Sequence, residues 1–213
     1  MFKKLISVLL EILFPTQCVL CKQAGSLLCH TCARALPIVP VRKLDPSSHL
    51  SSVTICANYH DERLQRLIAA YKFTGMRDLS GPLGAMLEKG YARHVLPQKA
   101  IIIPIPLHHR RQRKRGFNQS YLLARFLSGH TGHALDTHLT RIRARRPQHT
   151  LNRAERLTNM LGVFRYTGGA APDTVLLIDD IATTFATLDA AAQELKKHGT
   201  KAVHALVIAK NDP

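Results

Sequence analysis

The run Val175-Leu-Leu-Ile-Asp-Asp-Ile-Ala-Thr-Thr-Phe-Ala-Thr187 constrains this chain more than any other stretch. Its first four residues, Val175 to Ile178, are continuously apolar and predict a strand covered on both faces. Asp179 and Asp180 then emerge at its carboxyl end, the edge at which open α/β sheets bind their ligands. Thr183, Thr184 and Thr187 bring hydroxyls and backbone N–H groups to a turn that opens a helix near Leu188, and helix N-termini attract phosphate. Carboxylates that accept from ribose hydroxyls, beside a loop that holds a 5′-phosphate, suit a sugar phosphate. A buried αβ junction with a Thr-rich N-cap satisfies the same pattern.

This order of residues resembles the phosphoribosyl pyrophosphate (PRPP) motif of type I phosphoribosyltransferases. Phe185 departs from it, because that family usually carries glycine there. Glycine lacks a Cβ, so it adopts positive φ and lets the backbone approach phosphate closely. A phenylalanine narrows or reshapes the cradle unless its ring swings outward, and it bears directly on whether the site is catalytic.

The 213 residues hold one α/β domain and a small appendage, and 46% apolar content is enough for a core. This composition excludes a disordered chain. Thirty Lys and Arg against fourteen Asp and Glu give a net charge of +16. Such a chain attracts polyanions, whether nucleic acid, phosphorylated metabolites or an anionic membrane face, and charge alone does not choose among them. Residues 1–14 begin like a signal peptide, but Glu11 interrupts the apolar run and no small-residue cleavage site follows. The run is also too short to span a bilayer. It reads as an amphipathic helix docked on the protein, with Lys3 and Lys4 leaving a membrane-surface role open. No transmembrane segment is expected, and the expected location is cytoplasmic, including the inner face of the membrane.

Cys18-x2-Cys21-x7-Cys29-x2-Cys32 follows, bounded by Pro15 and Pro37. Two such knuckles can set four thiolates tetrahedrally around one structural zinc ion, and a segment this short has little core without metal. Two disulfides or free thiols are the alternatives, disfavoured without an export signal. His30 reads as a bystander, and Cys56, in an apolar run, as a core residue. The expected organisation is a helix and zinc finger over residues 1–37, a linker over 38–50 and the main domain over 51–213.

Within the main domain, strands are expected over Val53–Asn58, Ile101–Ile105, Val175–Ile178 and Val203–Ala209, with a further strand near Leu135–Leu139. Helical spacing of Leu64, Leu67, Ile68 and Tyr71 predicts one helix, and Leu83, Leu87 and Tyr91 another. Further helices are expected over Gln119–Leu127, Asn152–Met160 and Leu188–His198. The alternation implies an α/β fold with a mostly parallel sheet and helices on both faces.

Directly after the Ile101 strand, Arg110, Arg111, Arg113, Lys114 and Arg115 form a basic loop that can reach over the edge carrying Asp179 and Asp180. Guanidinium groups there suit a diphosphate or a nucleic-acid backbone, and a solvated charge run is an equal alternative. A second basic region, Arg141 to Arg156, precedes the helix expected from Asn152 and includes Arg153 and Arg156. The two together exceed what one small anion needs, which keeps single-stranded nucleic acid in play through backbone contacts and stacking on Phe117 or Tyr121. Both aromatics fit a core equally well.

Five motifs occur in one order: the four-Cys knuckle; Leu67-Ile-Ala-Ala-Tyr-Lys-Phe73; Ile103-Pro-Ile-Pro-Leu107 with Arg115-Gly-Phe-Asn-Gln119; Gln148-x2-Leu151-x-Arg153-x-Glu155-Arg156-x2-Asn159; and the Val175 run. In this the chain resembles the ComF (ComFC or GntX-like) family of phosphoribosyltransferase-like proteins, linked to natural transformation and use of external DNA. The resemblance implies a type I phosphoribosyltransferase fold with an N-terminal zinc finger, in a protein that handles incoming single-stranded DNA in the cytoplasm. It implies that Asp179 and Asp180 contact the ribose hydroxyls of PRPP or a related sugar phosphate, directly or through Mg²⁺. Ala182, Thr183, Thr184, Phe185, Ala186 and Thr187 would hold the 5′-phosphate, and the loop from Arg115 to Gln119 would lie near the diphosphate. Lys72 falls in the family's L-K-F-type motif, without a role that the motif defines. If the site is catalytic, diphosphate leaves the anomeric carbon, stabilised by Mg²⁺ and cationic groups such as Arg115; no residue identifies the incoming nucleophile. Two other readings stand beside it: a non-catalytic single-strand-binding module, and an adaptor whose finger and N-terminal helix dock on DNA-uptake machinery.

Overall fold

The computed structural model of the protein describes residues 15–43, 48–93, 96–142 and 162–211. The amphipathic helix expected over residues 1–14, the helix expected from Asn152 to Met160 and nearly all of the second basic region lie outside these residues. A five-stranded sheet organises the rest, in the order β1 (Val41–Lys43), β2 (Ser52–Asn58), β7 (Ala202–Lys210), β6 (Thr174–Ala182), β3 (Ile101–Pro104). Only β1, at an edge, runs antiparallel to its neighbour. The stretch 38–50 therefore contributes a strand, and Ser48 and His49 bond onward to Asp189.

Alternation along β6 builds three layers. Leu176 and Ile178 face the side covered by α2 (Glu62–Phe73), α3 (Ser80–Tyr91) and α5 (Gln119–Thr131). Val175 and Leu177 face α6 (Ala186–Lys197) and the small hairpin of β4 (Leu139–Arg141) and β5 (Phe164–Tyr166). Successive side chains of a strand point to opposite faces, so a strand with two apolar covers must be apolar at every position. On α2 the predicted stripe Leu64, Leu67, Ile68 and Tyr71 is buried. Asp61 caps that helix by accepting from the N–H groups of Arg63 and Leu64 at 2.9 and 3.2 Å. Helix α3 lies so close to the sheet that a Cβ on Gly90 would overlap Cys56 Sγ.

Three expectations change. Strand β6 does not end at Ile178 but runs through both acids to Ala182, because β7 continues pairing beside it, Asp179 opposite Val207 and Ala182 opposite Lys210. On its other side β3 stops at Pro104, opposite Ile178, so the acids stand just past the end of that neighbour. The basic loop is instead a short helix, α4 (His109–Arg115), capped by His108 and closed by Gly116 at φ 77°. Near Leu135 there is only an isolated bridge to Ile102, and the strand proper starts at Leu139.

Candidate functional site

The ligand edge gathers the segments that follow β3 and β6, which are parallel and in register. Asp180 has the parity of Leu176 and Ile178, so it faces α2, where Lys72 Nζ meets its Oδ2 at 2.9 Å. Both partners are largely buried, and Asp180 is 7% exposed. Asp180 Oδ1 accepts from the Ile181 N–H at 2.7 Å. Asp179 is half-buried and accepts through Oδ1 from Ser120 Oγ at 2.8 Å and from the Asp180 N–H at 2.9 Å. Burial, and then the neighbouring Asp180 charge, raise the Asp179 carboxyl to about 7, against the Ser120 hydroxyl and the Lys72 charge. The pair therefore carries less than two negative charges near neutral pH.

Arg115, the last residue of α4, lies within electrostatic reach of both acids. Burial lowers its pKa, and the Asp180 and Asp179 charges oppose that shift. Its guanidinium donates to Gln119 Oε1 at 3.1 Å and sits over the Phe73 ring, 5.1 Å from the centroid. The amide nitrogen of Gln119 is buried with no acceptor among the described residues. Asn118 fixes the start of α5: its Oδ1 accepts from the Ser120 N–H, and its Nδ2 donates to the Ile105 carbonyl. That cap delivers Ser120 to Asp179. On the solvent side of α4, Arg110, Arg111, Arg113 and Lys114 are exposed. The described start of the second basic region comes near the same place: the pKa of the buried His108 that caps α4 is lowered by burial, then by His109 and Arg110, and also by the Arg141 charge.

After Ala182, Thr183 and Thr184 are exposed and Phe185 adopts φ 56°, ψ −2° before α6 begins at Ala186. The backbone thus takes the left-handed turn that glycine would supply, at a cost of roughly 1–2 kcal/mol for a residue with a Cβ. The ring packs partly against the α6-side core, with Lys210 Nζ 5.6 Å from its centroid. Phe185 therefore holds the left-handed backbone of this turn despite its Cβ, with the ring as part of the turn's surface.

The second cluster is the cysteine knuckle. The sulfurs of Cys18, Cys21, Cys29 and Cys32 all lie within 4.8 Å of one another. Tetrahedral zinc with Zn–S of about 2.3 Å needs sulfurs about 3.8 Å apart, so the four can hold a metal ion such as zinc. A bridge between Gln17 and Ala24 shapes the first turn, and Cys29 and Cys32 are presented by the start of α1 (His30–Ala35). Burial raises the Cys18 thiol, but N–H groups of Cys21, Cys29 and Leu20 outweigh it and bring the thiol down to about 6. Cys32 goes to about 12, first through its hydrogen bond with Cys21 and then through burial. Arg66 docks the knuckle on α2, donating to the Val19 and Leu20 carbonyls at 3.2 and 3.1 Å. His30 is exposed, and Cys56 is buried in the core.

Sequence similarity now bears on this geometry. The chain is 31% identical over 218 residues to the DNA utilization protein YhgH of Salmonella typhi, covering 89% of this chain and 94% of that protein. It is 33% identical over 194 residues to YhgH of Escherichia coli K12, with 86% and 81% covered. Competence protein ComFC of Bacillus subtilis is 27% identical over 143 residues, 67% of this chain and 58% of that one. The chain belongs to the ComF family. No protein-family model matches the sequence. Among the described residues of this ComF chain, no helix is long and apolar enough to cross a membrane.

The structure brings Asp179, Asp180 and Arg115 together, sets the Ala182–Thr187 turn next to the acids, and gathers the four cysteines. Three residues beside the acids and Arg115 were given no role from the sequence. Lys72 had a motif but no partner, which lies 108 residues away on β6. Ser120 had no signal beyond its place one residue into α5. Phe73 stood out only as part of a motif; of the two stacking candidates, Phe117 is 7% exposed and packs on Tyr71, and Tyr121 is half-buried on α5.

Proposed function

We propose that this chain has a type I phosphoribosyltransferase-like main domain that binds PRPP or a related sugar phosphate, and that it serves the cytoplasmic handling of incoming single-stranded DNA. The observation that carries the sugar-phosphate reading is the left-handed turn at Phe185, set between an acid-bearing strand and a helix N-terminus, with Lys72 and Arg115 facing the acids. Asp179, the more accessible acid, accepts from ribose hydroxyls. Asp180, tied to Lys72, orients the pair. N–H groups and hydroxyls of the Ala182–Thr187 turn take the 5′-phosphate, aided by the α6 dipole. Arg115 faces the diphosphate, whose charge Mg²⁺ neutralises when bound. Departure of diphosphate from the anomeric carbon would then need charge stabilisation more than covalent help. The DNA reading rests on the net charge of +16, on the exposed cations of α4, and on relatives named for DNA utilization and competence. The knuckle holds structural zinc and steadies α2.

Isothermal calorimetry with PRPP and Mg²⁺ tests the first part. Saturable binding is expected, lost in Asp179→Asn with Asp180→Asn and tightened in Phe185→Gly. Absence of binding by both the parent and Phe185→Gly overturns the sugar-phosphate reading.

A further inference from the structure

Phe73 is 73% exposed at the carboxyl end of α2, off the apolar stripe that faces the core. A single exposed aromatic is ordinary on a protein surface. Its setting is not. The preceding residue, Lys72, reaches into the acid pair at 2.9 Å, and the Arg115 guanidinium lies over the ring at 5.1 Å. Arg115 is half-buried and held by Gln119, so ring and guanidinium form a built stack at the rim of the ligand edge.

Next to that stack α4 holds cations at unfavourable spacing. Arg110 with Lys114 and Arg111 with Arg115 are like-charge pairs at i, i+4, which destabilise a helix. The helix has no acid of its own, and among the described residues no ion pair engages Arg110, Arg111, Arg113 or Lys114. Its fold is kept by the His108 cap and the Gly116 turn, which Arg77 braces by donating to the Gly116 carbonyl at 2.9 Å. A row of exposed, uncompensated cations beside an exposed π surface is complementary to one ligand chemistry: a phosphate backbone carrying unpaired bases.

We infer that Phe73, backed by Arg115, is a stacking platform for an unpaired base of single-stranded DNA whose phosphates are held by α4. The inference rests on the DNA part of the proposed function and does not require PRPP, although Arg115 is shared with the proposed diphosphate position. Duplex DNA gains nothing from the platform, because its bases already stack on one another. A mononucleotide can stack but leaves most of α4 without a phosphate. The two contributions are separable, since stacking is insensitive to salt and phosphate binding is not.

The test is fluorescence anisotropy with the full chain and a labelled mixed-sequence oligodeoxynucleotide, its duplex, and an abasic backbone of the same length, each over a salt series. Phe73→Ala is expected to weaken single-strand binding by about five- to a hundredfold while leaving the salt slope unchanged. Phe73→Trp restores binding, Phe73→Leu does not, and duplex and abasic strands bind parent and Phe73→Ala alike. Replacing Arg110, Arg111 and Arg113 by alanine lowers the salt slope by about two, near 0.7 for each phosphate no longer neutralised. Unfolding midpoints of the Phe73 variants should match the parent, because the ring is exposed. Equal weakening on duplex and single strand, full rescue by Phe73→Leu, or affinity unchanged in Phe73→Ala overturns the platform. So does Phe73-dependent binding to a free nucleoside monophosphate or to phosphatidylglycerol vesicles without matching dependence on the single strand. If PRPP fails to bind while the single strand shows this pattern, the sugar-phosphate reading falls and the platform stands.

Discussion

The cysteine knuckle and the acid pair of β6 face the same electrostatic difficulty and resolve it differently. Each holds groups that repel when ionised. In the acid pair the fold supplies the compensation: an ammonium from α2 at 2.9 Å, a hydroxyl from α5 at 2.8 Å and a guanidinium from α4 nearby. In the knuckle, the sulfurs' hydrogen-bond partners among the described residues are one another and backbone N–H groups. The acid pair carries its compensating groups within the fold; the knuckle gathers four sulfurs that can hold a metal ion such as zinc. The difference follows from position. The acids lie within the carboxyl-terminal half of a central strand with helices on both faces, whereas the knuckle is a short appendage with little core of its own.

Removing the metal should have the largest effect. Chelation, or Cys29→Ser, is expected to release about one zinc per chain and unfold the knuckle, a loss of several kcal/mol judged against the binding energies of zinc-finger peptides. Metal analysis with thermal unfolding checks this, and an unchanged midpoint after full zinc release would break the contrast. Next comes Lys72→Met, which strands a buried carboxylate and should cost about 3–5 kcal/mol in chemical denaturation. Adding Asp180→Asn to that variant removes the orphaned charge and should recover most of the loss. If the double variant is no better than Lys72→Met, the ion pair is not what balances the acids.

Titration of Asp179 gives a smaller effect with a defined sign. Its carboxyl is raised from an ordinary 3.8 to about 7, so between those values the folded chain holds a proton that the unfolded chain has lost. Stability from this group is therefore greatest at low pH, falls as pH rises through that window, and levels off above it. Asp179→Asn keeps an acceptor for Ser120, flattens this dependence, and should exceed the parent by on the order of 2 kcal/mol near ~pH 8. A parent and variant with parallel stability profiles would show that the pair is not electrostatically strained. The smallest change is Phe185→Gly. Relief of the left-handed strain is offset by weaker packing and by glycine's unfolded-state entropy, so stability should shift by no more than about 1 kcal/mol. The value of that variant lies in binding, where a smoother turn should favour phosphate.

How much the sequence disclosed depended on whether a feature is local. Cysteine spacing, the Val175 run and the stripes of α2 and α3 are signals within one segment, and they became a four-cysteine cluster, a buried strand longer than expected and two helices. Helix α4 has no apolar residue to betray a period, and its caps, His108 and Gly116, are single residues at its margins. The extension of β6 through two carboxylates depends on β7 pairing beside them, which no property of the acids themselves announces. The Lys72–Asp180 pair and the Phe73–Arg115 stack join residues distant in sequence, so they were visible only once the sheet had set α2, α4 and β6 side by side. Phe185 announced a departure from glycine at the turn, but the positive φ of its backbone belongs to the folded chain and is not written in the residue type.

The central claim, a preformed sugar-phosphate site at the end of β6, is tested most directly by a crystal structure with PRPP and Mg²⁺. The expected density places the 5′-phosphate on the N–H groups of Thr183 to Thr187 and the ribose hydroxyls at Asp179, with Lys72 still on Asp180. Density for the ligand on α4 alone, or a turn left empty at saturating PRPP, would contradict it.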